Sequence, residues 1–351
     1  MQKYSKKCVN FVFNFIMLKH YTIPVFIPEL ACPFQCVFCN QRKISGHISI
    51  PDHSEVIKIV NAHLASFKQL NRSVDVAFFG GNFTGLPLHE QEAYLKLVQP
   101  FLSSGEIQGI RLSTRPDYIN PEVLDVLSTY QVTTIEIGAQ SFDDKVLKKS
   151  HRGHTASQTE QAAKAILEKG FQLGLQMMIG LPGDSLQSSL YTASRIVELG
   201  ATSTRIYPTL VIKDTALHDW YKKGRYTPLS LEEAVHWTTQ LLPIFEKGNV
   251  KVIRTGLHPS EGLVFGKDLV AGPYHPQFRE LVLSEIWLNK LGPAISDVKH
   301  TRVEFIIPKG QLNYAIGHKG LNRLQLMNDL QSVKFTESIE VKGRDFKMRR
   351  I

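Results

Sequence analysis

Short apolar runs rich in β-forming residues alternate with longer stretches of helical periodicity along most of this chain. This alternation is typical of βα units, in which helices cover a sheet of parallel strands. Six strands are predicted, at Tyr21–Ile27, Val74–Phe79, Gly109–Ser113, Thr134–Ile137, Gln172–Met178 and Thr204–Tyr207. The helical stretches between them are Ser54–Leu70, Glu90–Leu102, Glu122–Thr129, Thr155–Lys169 and Ser185–Leu199. The sequence therefore predicts the α/β class, in the form of a partial (β/α)6 barrel of the TIM type.

Three of the four cysteines stand together directly after the first predicted strand, as Cys32, Cys36 and Cys39. In parallel sheets, ligands bind at the carboxyl ends of the strands, so the triplet lies at the correct end for chemistry. Thiolates select iron–sulfur clusters, zinc or copper. A disulfide is disfavoured, because one thiol would be left over and cysteines are few. Structural zinc with His47 as the fourth ligand stays an alternative.

A [4Fe–4S] cluster usually takes four cysteines, so a triplet would leave one iron open to another ligand. Further motifs follow at successive strand ends. They are Gly80–Gly85, Ser113–Tyr118, Glu136–Ser141, Arg152–His154, Gln176–Asp184 and Arg205–Thr209. With the triplet, they resemble the radical S-adenosylmethionine (SAM) core shared by the Elongator catalytic subunit and its shorter bacterial relatives. The resemblance covers about Tyr21–Pro276 and extends more distantly to oxygen-independent coproporphyrinogen oxidase.

That resemblance implies a barrel of the radical SAM type with a [4Fe–4S] cluster on Cys32, Cys36 and Cys39. It also implies that SAM binds the open iron and is cleaved reductively to a 5′-deoxyadenosyl radical. The chain has Gly-Gly-Asn where many members have Gly-Gly-Glu for the SAM amino group, and Arg152 stands where an arginine pairs with the SAM carboxylate. The implied SAM contacts are Gly80, Gly81, Asn82, Ser113, Gln140, Arg152 and Gln176.

The end of the chain is basic and carries a second motif. The formal net charge is +9, and residues 299–351 hold 11 Lys or Arg against five Asp or Glu, a net +6. Within them, a predicted strand and helix lead to Gly317-His318-Lys319-Gly320, a second helix and a strand near Ser332–Thr336. This order resembles a small α/β RNA-binding module of the KH type, in which such a turn approaches the sugar–phosphate chain closely. The resemblance implies RNA contacts at Gly317, His318, Lys319 and Gly320.

Three regions are predicted: a disordered extension over 1–18, a core barrel with its extension over 19–258, and a C-terminal extension with the KH-like region over 259–351. We expect no acetyltransferase domain, because only a short stretch follows Pro276. No apolar run approaches the roughly 18 residues that span a bilayer, so no membrane partner is expected. Low cysteine usage favours a reducing compartment, and we expect a cytoplasmic protein.

The leading hypothesis is a radical SAM enzyme that modifies RNA, in particular tRNA, with electrons from a donor such as flavodoxin or ferredoxin. A target base would have to be unstacked or already single-stranded to reach the barrel. A first alternative is a radical SAM enzyme acting on a small molecule such as a tetrapyrrole. A second is a non-catalytic, metal-containing RNA-binding protein.

Overall fold

The computed structural model describes residues 19–27, 36–40, 43, 51–68, 71–257, 263 and 266–351. The predicted disorder over 1–18 lies outside these residues, as do Cys32 and His47. None of the helices in the described part of the chain combines the length and the apolar character that a bilayer crossing requires.

A seven-stranded parallel sheet forms the centre of the molecule, in the order β1-β2-β3-β4-β5-β6-β8. Each neighbouring pair is parallel, so the loop that follows each strand emerges at one edge, which we call the carboxyl edge. The strands are β1 Lys19–Phe26, β2 Arg72–Phe79, β3 Gly109–Thr114, β4 Thr134–Gln140, β5 Gln172–Ile179, β6 Ser203–Pro208 and β8 Lys251–Thr255. Beyond β6, the short strands β7 (Val211–Ile212) and β9 (Leu269–Ala271) pair antiparallel.

Most of the helices cover the outer face of the sheet. Among the described residues, the helices that precede residue 250 are α1 His53–Ser66, α2 Leu88–Ser103, α3 Pro121–Thr129, α4 Asp144–Lys149, α5 Ala156–Glu168, α6 Leu186–Glu198, α7 Ala216–Lys222 and α8 Leu231–Lys247. Local sequence fixes several of their starts. Before α3, the side chain of Asn120 accepts a hydrogen bond from the Val123 amide at 2.9 Å, and Pro121 occupies the first helical position. This cap follows from the asparagine–proline pair, since proline needs no amide partner there.

The predicted fold class is confirmed, and the six predicted strands lie within about three residues of their observed bounds. The number of strands differs from the prediction, because β8 pairs with β6 and gives the barrel a seventh strand. The strand character of Lys251–Gly256 is visible in the sequence, but its place in the sheet depends on a pairing that no local pattern encodes. The predicted boundary at residue 258 stays a prediction.

Alternate residues of the central strands face two different environments, the apolar core and the polar concave face. Side chains such as Ile110, Leu112, Ile135 and Ile137 are fully buried in the apolar core that includes the covering helices. The intervening positions carry polar groups on the concave face. This division explains why the strands are apolar on one face only, although the sheet is buried on both.

Residues 302–350 form a small second sheet with two helices, which we call the C-terminal module. Strand β10 (Arg302–Pro308) is central, with β11 (Ser332–Ser338) parallel to it and β12 (Lys347–Arg350) antiparallel. Between β10 and β11 run α10 (Leu312–Ile316) and α11 (Leu321–Leu326). The predicted strand–helix–turn–helix–strand order is therefore present, and β12 is an addition that sequence reasoning missed.

Helix α9 (Phe278–Ala294) joins the C-terminal module to the barrel. Its first half, including Phe278 and Val282, packs in the barrel core, whereas Trp287 and Leu291 belong to the core of the module. Trp287 is fully buried, and its indole N–H donates to the Gln311 side chain at 3.2 Å. One helix thus supplies apolar surface to both cores.

We expect Trp287→Ala to lower the free energy of unfolding by about 3–5 kcal/mol, because it leaves a large cavity in the core of the module. Urea denaturation followed by far-ultraviolet circular dichroism measures the change. The matched control is Tyr191→Ala on α6, since Tyr191 is 51% exposed and its truncation should change stability by less than about 0.5 kcal/mol. Equal effects of the two substitutions would contradict the joining role of α9.

Candidate active site

All the predicted site residues of the barrel that the structure describes lie on the carboxyl edge or on the concave face beneath it. The cysteine loop follows β1, and the glycine segment follows β2. Ser113 and Gln176 lie near the ends of β3 and β5, Gln140 ends β4, and Arg152 comes just after α4. Parallel topology brings these positions together, although up to 140 residues separate them in the sequence.

The cysteine loop is held by backbone hydrogen bonds on both sides. The Val37 amide donates to the Ser150 carbonyl at 3.2 Å, and the Leu217 amide donates to the Val37 carbonyl at 2.7 Å. A further bond from the Cys39 amide to the Cys36 carbonyl, at 3.0 Å, closes a turn between the two thiols. Cys36 is buried and Cys39 is half-buried. The loop therefore holds these two thiols at a fixed place on the carboxyl edge.

The buried guanidinium of Arg152 reaches this loop. One terminal nitrogen donates to Cys36 Sγ at 3.5 Å and the other donates to the Gly138 carbonyl at 2.7 Å. Its Nε is buried and has no hydrogen-bond partner among the described residues. Arg152 therefore ties the cysteine loop to the end of β4 in this structure, and its implied pairing with a SAM carboxylate stays a prediction.

Arg152 is itself positioned by Arg115, to which sequence reasoning assigned no role. Arg115 is 1% exposed and donates to the Arg152 carbonyl at 2.9 Å. Two further bonds, both 2.9 Å, tie its guanidinium to the Asp117 carboxylate. This bidentate ion pair fixes the direction of Arg115. The Arg-Pro-Asp run at a strand end was the available signal.

The glycine segment after β2 packs tightly against the end of β1. Gly80 has φ +107°, and a Cβ there would lie 2.9 Å from the Ile27 carbonyl oxygen. Asn82 is buried, and its side-chain oxygen accepts hydrogen bonds from Thr114 Oγ1 at 2.7 Å and from the Arg115 amide at 3.3 Å. Only glycine fits at position 80. Asn82 links the ends of β2 and β3 in this structure.

Gln140 occupies a strained position at the end of β4. Its φ is +66°, and the pairing of β4 with β5 shifts register between Gly138 and Gln140. Its side-chain oxygen is buried and unpartnered within the described residues. Such irregularities re-aim side chains and cluster at ligand sites. Gln140 and the Nε of Arg152 thus leave two buried polar atoms free to meet a ligand on the carboxyl edge.

Below this level, the concave face holds a buried charged cluster centred on Glu136, which is 1% exposed. Arg205 donates to its carboxylate at 2.6 and 3.1 Å, and Arg111 donates at 2.9 Å. Gln176 Nε2 contacts both Glu136, at 3.2 Å, and Ser113 Oγ, at 3.4 Å. Burial acts to raise the pKa of Glu136, but the two arginines outweigh it and hold that pKa below its ordinary value.

Side chains of β2 and β6 contact each other across the concave face, which shows that the sheet is curled. The Arg205 guanidinium on β6 lies 5.1 Å from the ring centroid of Phe79 on β2. The charged cluster therefore extends across the concave face from β4 and β6 towards Phe79 at the end of β2. Sequence reasoning gave no role to Glu136 or Arg205, although both stand inside quoted motifs.

The predicted RNA turn, Gly317–Gly320, lies against the second turn of α9. The His318 amide donates to Ser284 Oγ at 3.0 Å, and a Cβ at Gly317 would lie 2.6 Å from Asn322. The Gly317 and Gly320 amides donate within the turn region. Lys319 is exposed, and Gly320 has open space around it. Phe278 at the start of α9 lies against Gly256, the residue that follows β8, so the turn lies on the carboxyl-edge side of the molecule.

The described residues fit the implied cofactors. Cys36 lies beside a buried cation with Cys39 one turn away, Gly80 leaves no room for a Cβ, and two buried side-chain atoms have no hydrogen-bond partner among these residues. Cys32, the third implied ligand, lies outside the described residues. Within the described part of the chain, no three His, Cys, Asp or Glu side chains form a metal site. The two described cysteines and the residues around them therefore fit a site for a soft metal, which would need a third cysteine as a ligand.

Two family models match this chain. The radical SAM superfamily model matches residues 27–193, and the radical SAM C-terminal domain model matches residues 201–287. Together they span well over half of the sequence, and the chain belongs to the radical SAM superfamily. Enzymes of this superfamily use a [4Fe–4S] cluster and SAM, the two cofactors that the sequence predicts.

Its relatives include Elongator-type proteins. The tRNA uridine(34) acetyltransferase of Dehalococcoides mccartyi is 24% identical over 239 residues, covering 59% of this chain and 52% of the relative. Human Elongator complex protein 3 is 29% identical over 263 residues, covering 68% of this chain and 47% of the relative. The predicted likeness to the Elongator catalytic subunit is confirmed, and the chain spans about half the length of these curated relatives.

A solved structure shares the fold. The archaeal Methanocaldococcus infernus Elp3 with an N-terminal deletion superposes with a TM-score of 0.62 at 19% identity, covering 78% of this chain and 64% of that chain. At this identity, the likeness concerns the fold alone.

His154 provides a test of the electrostatics of this edge. It is buried, contacts the Ala139 carbonyl through Nε2 at 3.2 Å, and its pKa is lowered from 6.5 to about 3 by burial and by the charges of Arg152 and Arg115. The unfolded histidine takes up a proton near its ordinary pKa, whereas the folded one stays neutral. Stability is therefore lost progressively as the pH falls from about 7 towards 3.

We expect His154→Gln to reduce the fall in Tm between about pH 7 and pH 5, because glutamine can donate to Ala139 without titrating. Differential scanning fluorimetry at several pH values measures this dependence. His89→Gln is the matched control, since His89 is exposed and its removal should leave the dependence unchanged. A wild-type-like pH dependence in the His154 variant would refute the assignment.

Proposed function

We propose that this chain is a radical SAM enzyme that modifies RNA, with tRNA as the favoured substrate. The observation that carries the catalytic half is the contact of the Arg152 guanidinium with Cys36 Sγ at the carboxyl edge. It places a permanent charge beside a thiol that the superfamily uses as a cluster ligand. Cys32, Cys36 and Cys39 would hold the cluster, which supplies the electron that splits SAM into methionine and a 5′-deoxyadenosyl radical.

The chain's own residues prepare the place where SAM binds. Gly80 removes a side chain from the approach, and Gln140 and Arg152 Nε offer buried polar atoms. The Gln176 side chain donates to Ser113 and to Glu136 on the concave face, and the contacts of Ser113 and Gln176 with SAM stay predictions.

A reduced electron donor such as flavodoxin or ferredoxin would complete the reaction. Because cysteines are few and an iron–sulfur cluster survives best under reducing conditions, the proposal places the protein in the cytoplasm.

The RNA half of the proposal is supported by the C-terminal module and by the names of the relatives. The relative from D. mccartyi is named for action on tRNA. The module contributes a basic surface, and its Gly317–Gly320 turn lies on the same side as the carboxyl edge. Long-range attraction of a polyanion follows from such a surface and weakens with salt.

Lys319 is the residue of the turn best suited to meet a phosphate, because the amides of Gly317, His318 and Gly320 already donate within the protein. Beside it, α11 exposes Leu321 and Leu324, which are 57% and 60% exposed. An apolar patch next to a basic residue is typical of an interaction surface. No comparable observation favours a tetrapyrrole or another small molecule.

We expect Cys36→Ala to abolish cluster assembly and SAM cleavage together, because a soft thiolate ligand is lost. Iron content, visible absorption after anaerobic reconstitution, and release of 5′-deoxyadenosine with a chemical reductant measure the two properties. The matched control is Cys8→Ala, which should keep both, since Cys8 stands apart from the triplet. Turnover that persists in the Cys36 variant would disprove the ligand assignment.

We expect Lys319→Glu to weaken RNA binding by about ten-fold and to reduce the salt dependence of the affinity. Lys319 is exposed, so the fold should tolerate this change, whereas Gly320 has φ +77° and a side chain at Gly317 would collide with Asn322. Filter binding to unmodified tRNA measures the effect. Lys164→Glu, on the exposed outer face of α5, is the control, and an equal loss there would argue against the turn.

A further inference from the structure

A cavity lies at the carboxyl edge, beside the site described above. It has a volume of about 600 Å³ and opens between the loop that follows β5, the end of α4, α7 and the segment before α8. This volume lies within the range of small-ligand sites. The chemically distinctive lining residues are Lys149, His151, Trp220, Arg225, Tyr226 and Trp237.

The cavity shares a wall with the cysteine loop. Trp220 packs in the apolar cluster that contains Val37 and Phe38 of that loop. The rings of His151 and Trp220 meet edge to face, with centroids 5.7 Å apart. His151 directly precedes Arg152, whose guanidinium contacts Cys36. A ligand bound in this cavity would therefore lie beside the cysteine loop without occupying the site assigned to SAM.

The charges of the cavity favour an anion. Lys149 and Arg225 are exposed at its rim, and the Lys149 side chain lies across Gly183, where its Nζ would be 3.0 Å from an added Cβ. Among the lining residues that the structure describes, Asp184 is the one carboxylate. It accepts hydrogen bonds within its own loop, from the Gly180 and Ser185 amides at 2.9 Å and from two serine hydroxyls at 2.6 and 3.0 Å.

The aromatic side chains favour a planar partner. Two indoles line the cavity, while the Tyr226 hydroxyl is already committed to the Gly180 carbonyl at 2.7 Å. Aromatic faces with nearby lysine and arginine are the combination that binds single-stranded nucleic acid, through base stacking and phosphate attraction. The stacking is sequence-tolerant, because every base has a π face.

We propose that this cavity binds one nucleotide of the RNA substrate that flanks the modified position. Its base stacks against the tryptophans, and the phosphates on its two sides contact Lys149 and Arg225. This inference rests on the proposed function, because it assumes an RNA substrate. The cavity would give the RNA a second contact with the protein, distinct from the Gly317–Gly320 turn. This contact would fix the RNA strand beside the cysteine loop.

The test uses the full-length reconstituted protein and a fluorescein-labelled single-stranded RNA of about twelve nucleotides, followed by anisotropy over a range of salt concentrations. The double variant Lys149→Gln with Arg225→Gln should bind about ten-fold more weakly at low salt. The slope of log K against log salt should fall in magnitude by about 1.4, since two phosphate contacts are lost at about 0.7 each.

The control removes the same charge elsewhere, as Lys164→Gln with Lys251→Gln. Both lysines are exposed, and Lys251 starts β8 at the opposite edge of the sheet. This control should keep the wild-type affinity and slope. Equal behaviour of the two double variants would overturn the cavity proposal and leave the proposed function intact.

A second measurement locates the contact directly. RNA carrying 4-thiouridine should photo-crosslink to peptides that contain His151 or Trp220, and crosslinks found only in other segments would overturn the assignment. Failure of the proposed function has a different signature. In that case, the wild-type protein binds no RNA at all, or it releases no 5′-deoxyadenosine from SAM with a chemical reductant.

Discussion

The contact between Arg152 and the cysteine loop joins the metal chemistry of this protein to its sheet. A buried guanidinium is costly unless its donors are satisfied, and here the Gly138 carbonyl and Cys36 Sγ receive two of them. The carbonyl belongs to β4 and the sulfur to the loop after β1, so one side chain bridges elements far apart in the sheet. Arg115 and Asp117 hold Arg152 from behind. The backbone of Arg152 is thus fixed by Arg115, and its guanidinium is fixed by Gly138 and Cys36.

Beneath this contact, the concave face is filled by charge instead of by hydrocarbon. Glu136 is nearly inaccessible, yet two arginines and Gln176 satisfy its carboxylate. Such networks are costly when incomplete and rigid when complete, because the low local dielectric strengthens every interaction. The cluster fills part of the concave face, whereas Gln140 Oε1 and Arg152 Nε are buried without a hydrogen-bond partner among the described residues.

Helix α9 relates this edge to the basic C-terminal module. Its first turns pack in the barrel core and its later turns pack in the core of the module, so the two units share one rigid element. The bonds from His318 and Asn322 to Ser284 fix the Gly317–Gly320 turn to the same helix. A strand of RNA that met Lys319 could therefore be held in a constant relation to the barrel mouth, as a site-selective modification requires.

Local pattern was enough to predict the βα alternation and the bounds of most strands, because each depends on residues close in sequence. The roles of Arg152, Arg115, Glu136 and Arg205 were not predictable in the same way. Arg152 and Cys36 are 116 residues apart, and Arg205 and Glu136 are 69 apart, so their contacts exist only once the sheet has curled. The pairing of β8 with β6 and the cavity beside Trp220 likewise depend on elements that meet in space. The sequence determines which polar and charged side chains lie near the ends of the strands. The curvature of the sheet determines which of these side chains contact one another.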